Sequence, residues 1–285
     1  MITGKFEYHA PESLPAAVGL LSDLGDDARV IAGGHSLIPM MKLRLATPEH
    51  LIDLRKITDL AYIRIDGETV RIGAMTTQHA LIEDAALRTA APIIAETSLQ
   101  VADPQIRYKG TIGGNVANGD PGNDYPALMQ CLDASFTLVG PDGERTVAAR
   151  EFYEAAYFTV RDDLEILTEV SFPVWHGGYA YEKQKRKIGD YATAASAVLL
   201  SKAGDGTCSK ASIAMTNLAD TPIYCDAAAA VLTGSSMDAD SIEQAVKESV
   251  AVIEPVDDNR GPVEFKKHAA SIILKRAIDR AWSLA

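Results

Sequence analysis

Cysteine is scarce in this chain of 285 residues. The three present, Cys131, Cys208 and Cys225, form no Cys-x-x-Cys pair, so no zinc ribbon or iron–sulfur cluster is expected from this chain alone. The six histidines show neither His-x-x-x-His nor His-Glu-x-x-His spacing, and no metal centre is expected. A basic excess is also missing: 27 Lys and Arg against 39 Asp and Glu leave a net charge of -12, which argues against nucleic acid or an anionic membrane as partner. No apolar run reaches the length of a membrane span, and Met1–Glu7 lacks the regions of a signal peptide, so the expectation is cytoplasmic residence without membrane insertion. Ser-x-x-Lys, Gly-x-Ser-x-Gly, a Cys–His pairing and a paired-carboxylate pattern are all lacking. So are the Gly-x-Gly-x-x-Gly and Gly-Lys-Ser/Thr loops. Chemistry carried out here would have to come from a bound cofactor.

What is present is an ordinary globular composition, 47% hydrophobic and 23% charged, in a chain long enough for two or three domains. Strand, helix, strand and a further strand are predicted over residues 1–54, a small α/β unit. A hairpin at 61–73, helices at 77–87 and 91–101, a helix at 124–132, a second hairpin from 135 and an alternating strand at 164–172 make a middle unit. Strands at 179–185, 192–200 and 209–216 precede helices at 222–233, 239–252 and 263–283. The expected division is 1–55 and 56–176, both α/β, and 177–285, an antiparallel sheet with helices.

Two glycine pairs stand out. Ala32-Gly33-Gly34-His35-Ser36-Leu37 follows a predicted strand, and Thr111-Ile112-Gly113-Gly114-Asn115 opens a long stretch rich in glycine and Asx. Adjacent glycines permit positive φ and let backbone N–H groups approach a phosphate with no Cβ in the way. A single such pair serves equally as a plain turn; two, flanked by hydroxyl and amide side chains, suggest two loops meeting on one diphosphate. Asp124 suits either an N-cap or a ligand contact. The four cations among Lys183, Lys185, Arg186 and Lys187 fit a solvated face, yet stand out in an acidic chain, and Tyr191 beside them could lie against a planar ring or be merely half-buried.

Taken together these stretches are specific. Ala-Gly-Gly-His-Ser-Leu-x-Pro-Met-Met-Lys-Leu-Arg-Leu at 32–45, Thr-Ile-Gly-Gly-Asn at 111–115 with Asn-Gly-Asp-Pro-Gly-Asn-Asp-Tyr-Pro-Ala at 118–127, and Lys-Arg-Lys-x-Gly-Asp-Tyr-Ala-Thr-Ala at 185–194 resemble the flavoprotein (medium) subunits of aerobic carbon monoxide dehydrogenases, within the xanthine dehydrogenase family of molybdenum hydroxylases. The resemblance spans the chain. It implies a multidomain α+β and α/β architecture: a two-part FAD-binding fold of the vanillyl-alcohol-oxidase (PCMH) type, followed by a C-terminal sheet-and-helix domain. It implies that both glycine pairs hold the FAD pyrophosphate by backbone N–H groups, assisted by Ser36 and Thr111, and that Asp124, Leu167, Lys185 and Tyr191 lie near the ribityl chain or isoalloxazine. It also implies partners: a large subunit with a molybdenum–cytosine dinucleotide and a small subunit with two [2Fe-2S] clusters, assembled as a dimer of heterotrimers. Electrons would pass from the clusters to FAD and on to an external acceptor. A stand-alone flavoenzyme and a non-catalytic FAD-binding module are the alternatives.

Overall fold

The computed structural model describes residues 2–285. Its first sheet contains three short strands, β1 (Glu7–His9), β2 (Ala28–Ile31) and β3 (His50–Asp53), parallel and in the order β1-β3-β2. Parallel neighbours need crossovers, and two helices supply them. In α1 (Leu14–Leu24) Ser13 caps the start, its hydroxyl accepting the Ala16 N–H, and Ala17, Val18 and Leu21 form the buried stripe. The second helix, α2 (Leu37–Leu43), ends on Arg44 in the left-handed region at φ 63°. The α1 stripe packs on Ile52 and Leu54, and also on Ile166 from the next sheet, so the first unit shares its core with the second.

In the middle unit β4 (Ile63–Asp66) and β5 (Thr69–Gly73) form the expected hairpin. The helix expected over 77–87 is two, α3 (Gln78–Glu83) and α4 (Ala85–Ala90). Asp84 leaves the helical region, and its carboxylate accepts the Leu87 N–H at 2.7 Å, capping the second piece. Four more helices follow: α5 (Pro92–Gln100), α6 (Pro104–Arg107), α7 (Ile112–Ala117) and α8 (Asp124–Cys131). Then come β6 (Ser135–Gly140), β7 (Gly143–Ala148), the short pair β8 (Tyr153–Ala155) and β9 (Phe158–Thr159), and β10 (Ile166–Pro173). The main sheet runs β4-β5-β10-β6-β7, antiparallel throughout.

The second glycine pair is therefore not in a loop. It lies in the first turn of α7, capped by Thr111, whose Oγ1 accepts the Gly114 N–H at 3.1 Å. Glycine is a poor helix former; here close packing requires it. A Cβ on Gly113 would lie 2.4 Å from Ala74 Cβ.

The last unit is an antiparallel sheet of β11 (Gly178–Gln184), β12 (Ala194–Lys202), β13 (Cys208–Thr216) and β14 (Ile223–Tyr224), in that order. Because residues 223 and 224 pair with β13, the helix expected from 222 begins only at Asp226, as α9 (Asp226–Leu232). It is followed by α10 (Ala239–Ala251) and α11 (Val263–Ser283). Small buried residues of α11, Ala270, Ala277 and Ala281, let it lie close on the sheet beside Ile273 and Leu274. This sheet also packs on the middle unit: Cys131 Sγ at the end of α8 lies 3.4 Å from the carbonyl oxygens of both Ala197 and Ser212. Among the described residues no helix is long and apolar enough to cross a membrane.

Candidate cofactor-binding cleft

The two glycine pairs meet in space. A Cβ on Gly33 would lie 2.3 Å from the carbonyl oxygen of Lys109 and 2.8 Å from Gly110 Cα, so the backbone leading into Thr111 rests directly on the first pair. On the other side, a Cβ on Gly114 would lie 3.2 Å from that of Ala32. Gly34 adopts φ +77°, which β-carbon-bearing residues avoid. Between the two segments opens a cleft of about 390 Å³. One wall is the end of β2 with residues 32–37, and the other is Gly110, Thr111 and the face of α7 from Gly113 to Asn118 without Val116. Leu167 of β10, Lys183 of β11 and the turn 189–191 complete it, so all three units contribute.

The two pairs offer different things to a ligand. The N–H groups of Gly33, Gly34, His35 and Ser36 donate to no protein atom among the described residues. In α7 the Ile112 N–H donates to Thr76 O at 3.1 Å, that of Gly113 to Ala74 O at 2.9 Å and that of Gly114 to Thr111 Oγ1. Free backbone donors are thus found at the first pair, while those of the second are taken up within the fold. The second wall offers side chains instead. Asn115 Oδ1 and, deeper, Gln78 Oε1 are buried without a hydrogen-bond partner, although both residues line the cleft. A buried acceptor left unpaired costs about 1–3 kcal/mol, which a ligand carrying N–H or O–H donors would recover.

At the third-unit end sits a buried charge network. Asp124, at the start of α8, accepts the Tyr181 hydroxyl at 2.5 Å and the Lys183 ammonium at 2.8 Å. Lys183 Nζ also donates to the carbonyl of Gln100 at 3.2 Å, and its side chain is 1% exposed. Burial raises the pKa of Asp124, and the adjacent Lys183 offsets this only in part. Removing one bond to such a carboxylate is costly: Tyr181→Phe is expected to lower stability by about 1–3 kcal/mol. A reduced urea midpoint at unchanged slope would show it.

Residues 4–175 match the family described as the FAD binding domain in molybdopterin dehydrogenase, and residues 179–281 match the CO dehydrogenase flavoprotein C-terminal domain. The chain belongs to this family. It is 58% identical to the carbon monoxide dehydrogenase medium chain of Afipia carboxidovorans, over 100% of this chain and 99% of that one. It is 32% identical to subunit alpha of the 6-hydroxypseudooxynicotine dehydrogenase complex of Paenarthrobacter nicotinovorans, over 97% and 94%. Reconstituted CO dehydrogenase from Oligotropha carboxidovorans matches with a TM-score of 0.98 at 57% identity over 100% of both chains. Quinoline 2-oxidoreductase from Pseudomonas putida 86 matches with 0.95 at 32% over 99% of both. The expected fold class is thus correct, and the protein is an oxidoreductase component of the FAD-binding molybdopterin dehydrogenase family.

The residues of this family member suit FAD. Unpaired backbone donors at the first pair match a diphosphate, and the orphaned acceptors of Asn115 and Gln78 match the hydroxyl and imide donors of a flavin nucleotide. Of the residues expected at the site, Ala32, Gly33, Gly34, His35, Ser36, Leu37, Thr111, Gly113, Gly114, Asn115, Asp124, Leu167 and Tyr191 line the cleft. Ile112 and Lys185 do not. Ile112 is fully buried in the middle core, and Lys185 donates to Gln100 Oε1 at 2.6 Å, outside the lining. Burial, then repulsion from Lys183, lowers the pKa of Lys185. The cleft takes Lys183 instead. Tyr181 and Lys183 alternate along β11, and Lys185, just past its end at Gln184, continues the same spacing. That alternation was the available signal, but it could not say which lysine meets Asp124. Tyr191 lies against Gly122, whose Cβ would be 2.9 Å from the ring, with the Arg260 guanidinium 5.5 Å from the ring centre. Gln78, Arg29 and Arg161 also line the cleft and escaped the sequence reading, since nothing in their local pattern sets them apart.

Proposed function

We propose that this chain is the electron-transfer flavoprotein subunit of a carbon monoxide dehydrogenase-type molybdenum hydroxylase. Its partners are a large subunit carrying a molybdenum–cytosine dinucleotide and a small subunit carrying two [2Fe-2S] clusters, paired as a dimer of heterotrimers in the cytoplasm. The observation that carries this reading is the end-to-end likeness, 58% identity over 100% of the chain, to a medium chain of carbon monoxide dehydrogenase. The three cysteines, all buried, agree with clusters held on another chain.

Bound FAD supplies the two-electron to one-electron exchange between substrate-derived electrons and an outside acceptor. The chain's own residues bind and orient it. The free N–H groups of Gly33 to Ser36, with the Ser36 hydroxyl, would hold the pyrophosphate; from the other wall the Thr111 hydroxyl would donate to the cofactor and Asn115 Oδ1 would accept from one of its hydroxyl or imide donors. His35 is exposed at the rim of the cleft. Leu167 and Tyr191 offer apolar and aromatic surface to the ring system, while the Asp124–Lys183 pair sets a fixed local charge beside it.

The test is reconstitution. Assembled with its two partners and given carbon monoxide, the complex is expected to bleach the flavin absorbance; without the small subunit the flavin should stay oxidised. Bleaching of the isolated chain by a small substrate would instead make it a stand-alone flavoenzyme. A complex that oxidises substrate while its flavin never changes would leave a non-catalytic module.

A further inference from the structure

A second constellation lies on the edge of the first sheet, and none of its residues lines the cleft. Glu7 and His9 are two apart on β1 and therefore point the same way, and Glu7 stands in register with His50 on β3. The ring nitrogens His9 Nε2 and His50 Nδ1 face each other at 3.1 Å, and Glu7 Oε2 is 3.7 Å from His50 Nδ1. One ligand atom from each residue falls within 4.8 Å of the other two. We propose that Glu7, His9 and His50 form a binding site for a divalent transition metal of the Zn²⁺, Cu²⁺ and Ni²⁺ class.

The geometry favours a metal. Tetrahedral zinc at ordinary imidazole bond lengths holds two nitrogens about 3.3 Å apart, close to the 3.1 Å seen. Without metal, that N···N contact requires one ring to carry the shared proton. An ion in its place takes a lone pair from each ring, and the ring that carried the shared proton keeps it on its other nitrogen, so both imidazoles bind in their neutral form. Glu7 supplies the third ligand; its side chain is 74% exposed and can swing the remaining distance. Two imidazoles and one carboxylate leave a position open for water. Nitrogen ligands select this class over Mg²⁺ and Ca²⁺, and the order of affinity should be Cu²⁺ over Zn²⁺ and Ni²⁺. The net charge of the chain, -12, favours cations in general. Since β1 has only three residues and a single neighbour strand, the ion would tie this edge to the centre of the sheet. The spacing of 41 between the histidines explains why no sequence motif announces the site.

The experiment uses the untagged full chain with bound FAD, treated with chelator and then titrated with Zn²⁺ by calorimetry, and with Cu²⁺ by electron paramagnetic resonance. One tight equivalent of Zn²⁺, a copper signal split by two nitrogens, and a rise in unfolding temperature with Zn²⁺ are expected. His9→Gln and His50→Gln should each abolish the tight equivalent and leave the flavin spectrum unchanged, and Glu7→Gln should weaken it. The proposal is overturned if the wild-type chain takes no tight equivalent, if both histidine variants bind as it does, or if Mg²⁺ competes on equal terms, which would reduce the site to general attraction by surface carboxylates.

Discussion

Gly33→Val is expected to yield a folded chain that cannot retain FAD. The valine Cβ would sit 2.3 Å from the Lys109 carbonyl oxygen, part of a backbone pinned by the Lys109 and Gly110 N–H groups to Ile106 O and by Gly110 O to the Gln78 N–H. That backbone cannot give way, so the first loop must move off the second wall. Its free donors then no longer converge. Bonds to a charged acceptor are worth about 1.5–3 kcal/mol each. Losing two amounts to a loss of affinity on the order of a hundredfold or more. The measurement is flavin content of the purified protein set against its far-ultraviolet circular dichroism. Full flavin content in the variant would show that the first glycine pair is not the phosphate seat. Because the N–H groups of Gly113 and Gly114 already have partners, Gly114→Val tests something else: the approach of α7 to Ala32 and the Thr111 hydroxyl, both of which it would crowd.

The second large effect is expected from Lys183→Met. It leaves Asp124 buried with the Tyr181 hydroxyl as its remaining side-chain hydrogen bond and only the weaker, more distant charge of Lys185 beside it. Breaking a buried pair from one side costs about 3–5 kcal/mol, read as a lowered urea midpoint at neutral pH. The pH dependence has a definite sign. Asp124 already has its pKa raised by burial in the folded chain. Folded protein therefore holds this proton more tightly than unfolded protein, and between the two pKa values stability falls as pH rises. Without Lys183, which lowers the folded value, that window extends upward. The variant should thus regain stability on acidification, from the neutral range down towards the ordinary carboxylate pKa, more than the parent does. A deficit that stays constant with pH would mean that Asp124 does not take up the proton. Asp124→Asn removes the titrating group but strands the Lys183 ammonium; it should be destabilised as well, without the recovery in acid.

Much of the chain could be read from local pattern because its elements obey local rules. Ser13 before an amphipathic run marks α1; alternation along 164–172 marks β10; the 21 residues of α11 keep one face apolar. Errors fell where a tertiary contact outvoted a local preference. Two glycines at 113 and 114 read as loop by propensity, yet the packing of Gly113 on Ala74 and the Thr111 cap make them helix. At Asp84 the cause is local instead: its carboxylate takes the Leu87 N–H three residues on and starts a second helix.

Legible in the residues alone were two glycine pairs flanked by hydroxyl and amide groups, the run of strand and helix patterns, and a basic cluster around 183–187 in an acidic chain. These properties rest on residue type and near neighbours alone. Only the tertiary structure decided that the pairs touch, that one keeps its N–H groups free while the other spends them on Thr76, Ala74 and Thr111, that Lys183 rather than Lys185 meets Asp124, and that His9 reaches His50. Each of those outcomes depends on partners tens of residues away or on a choice between chemically equal groups, and strand pairing and packing make that choice, not composition or period.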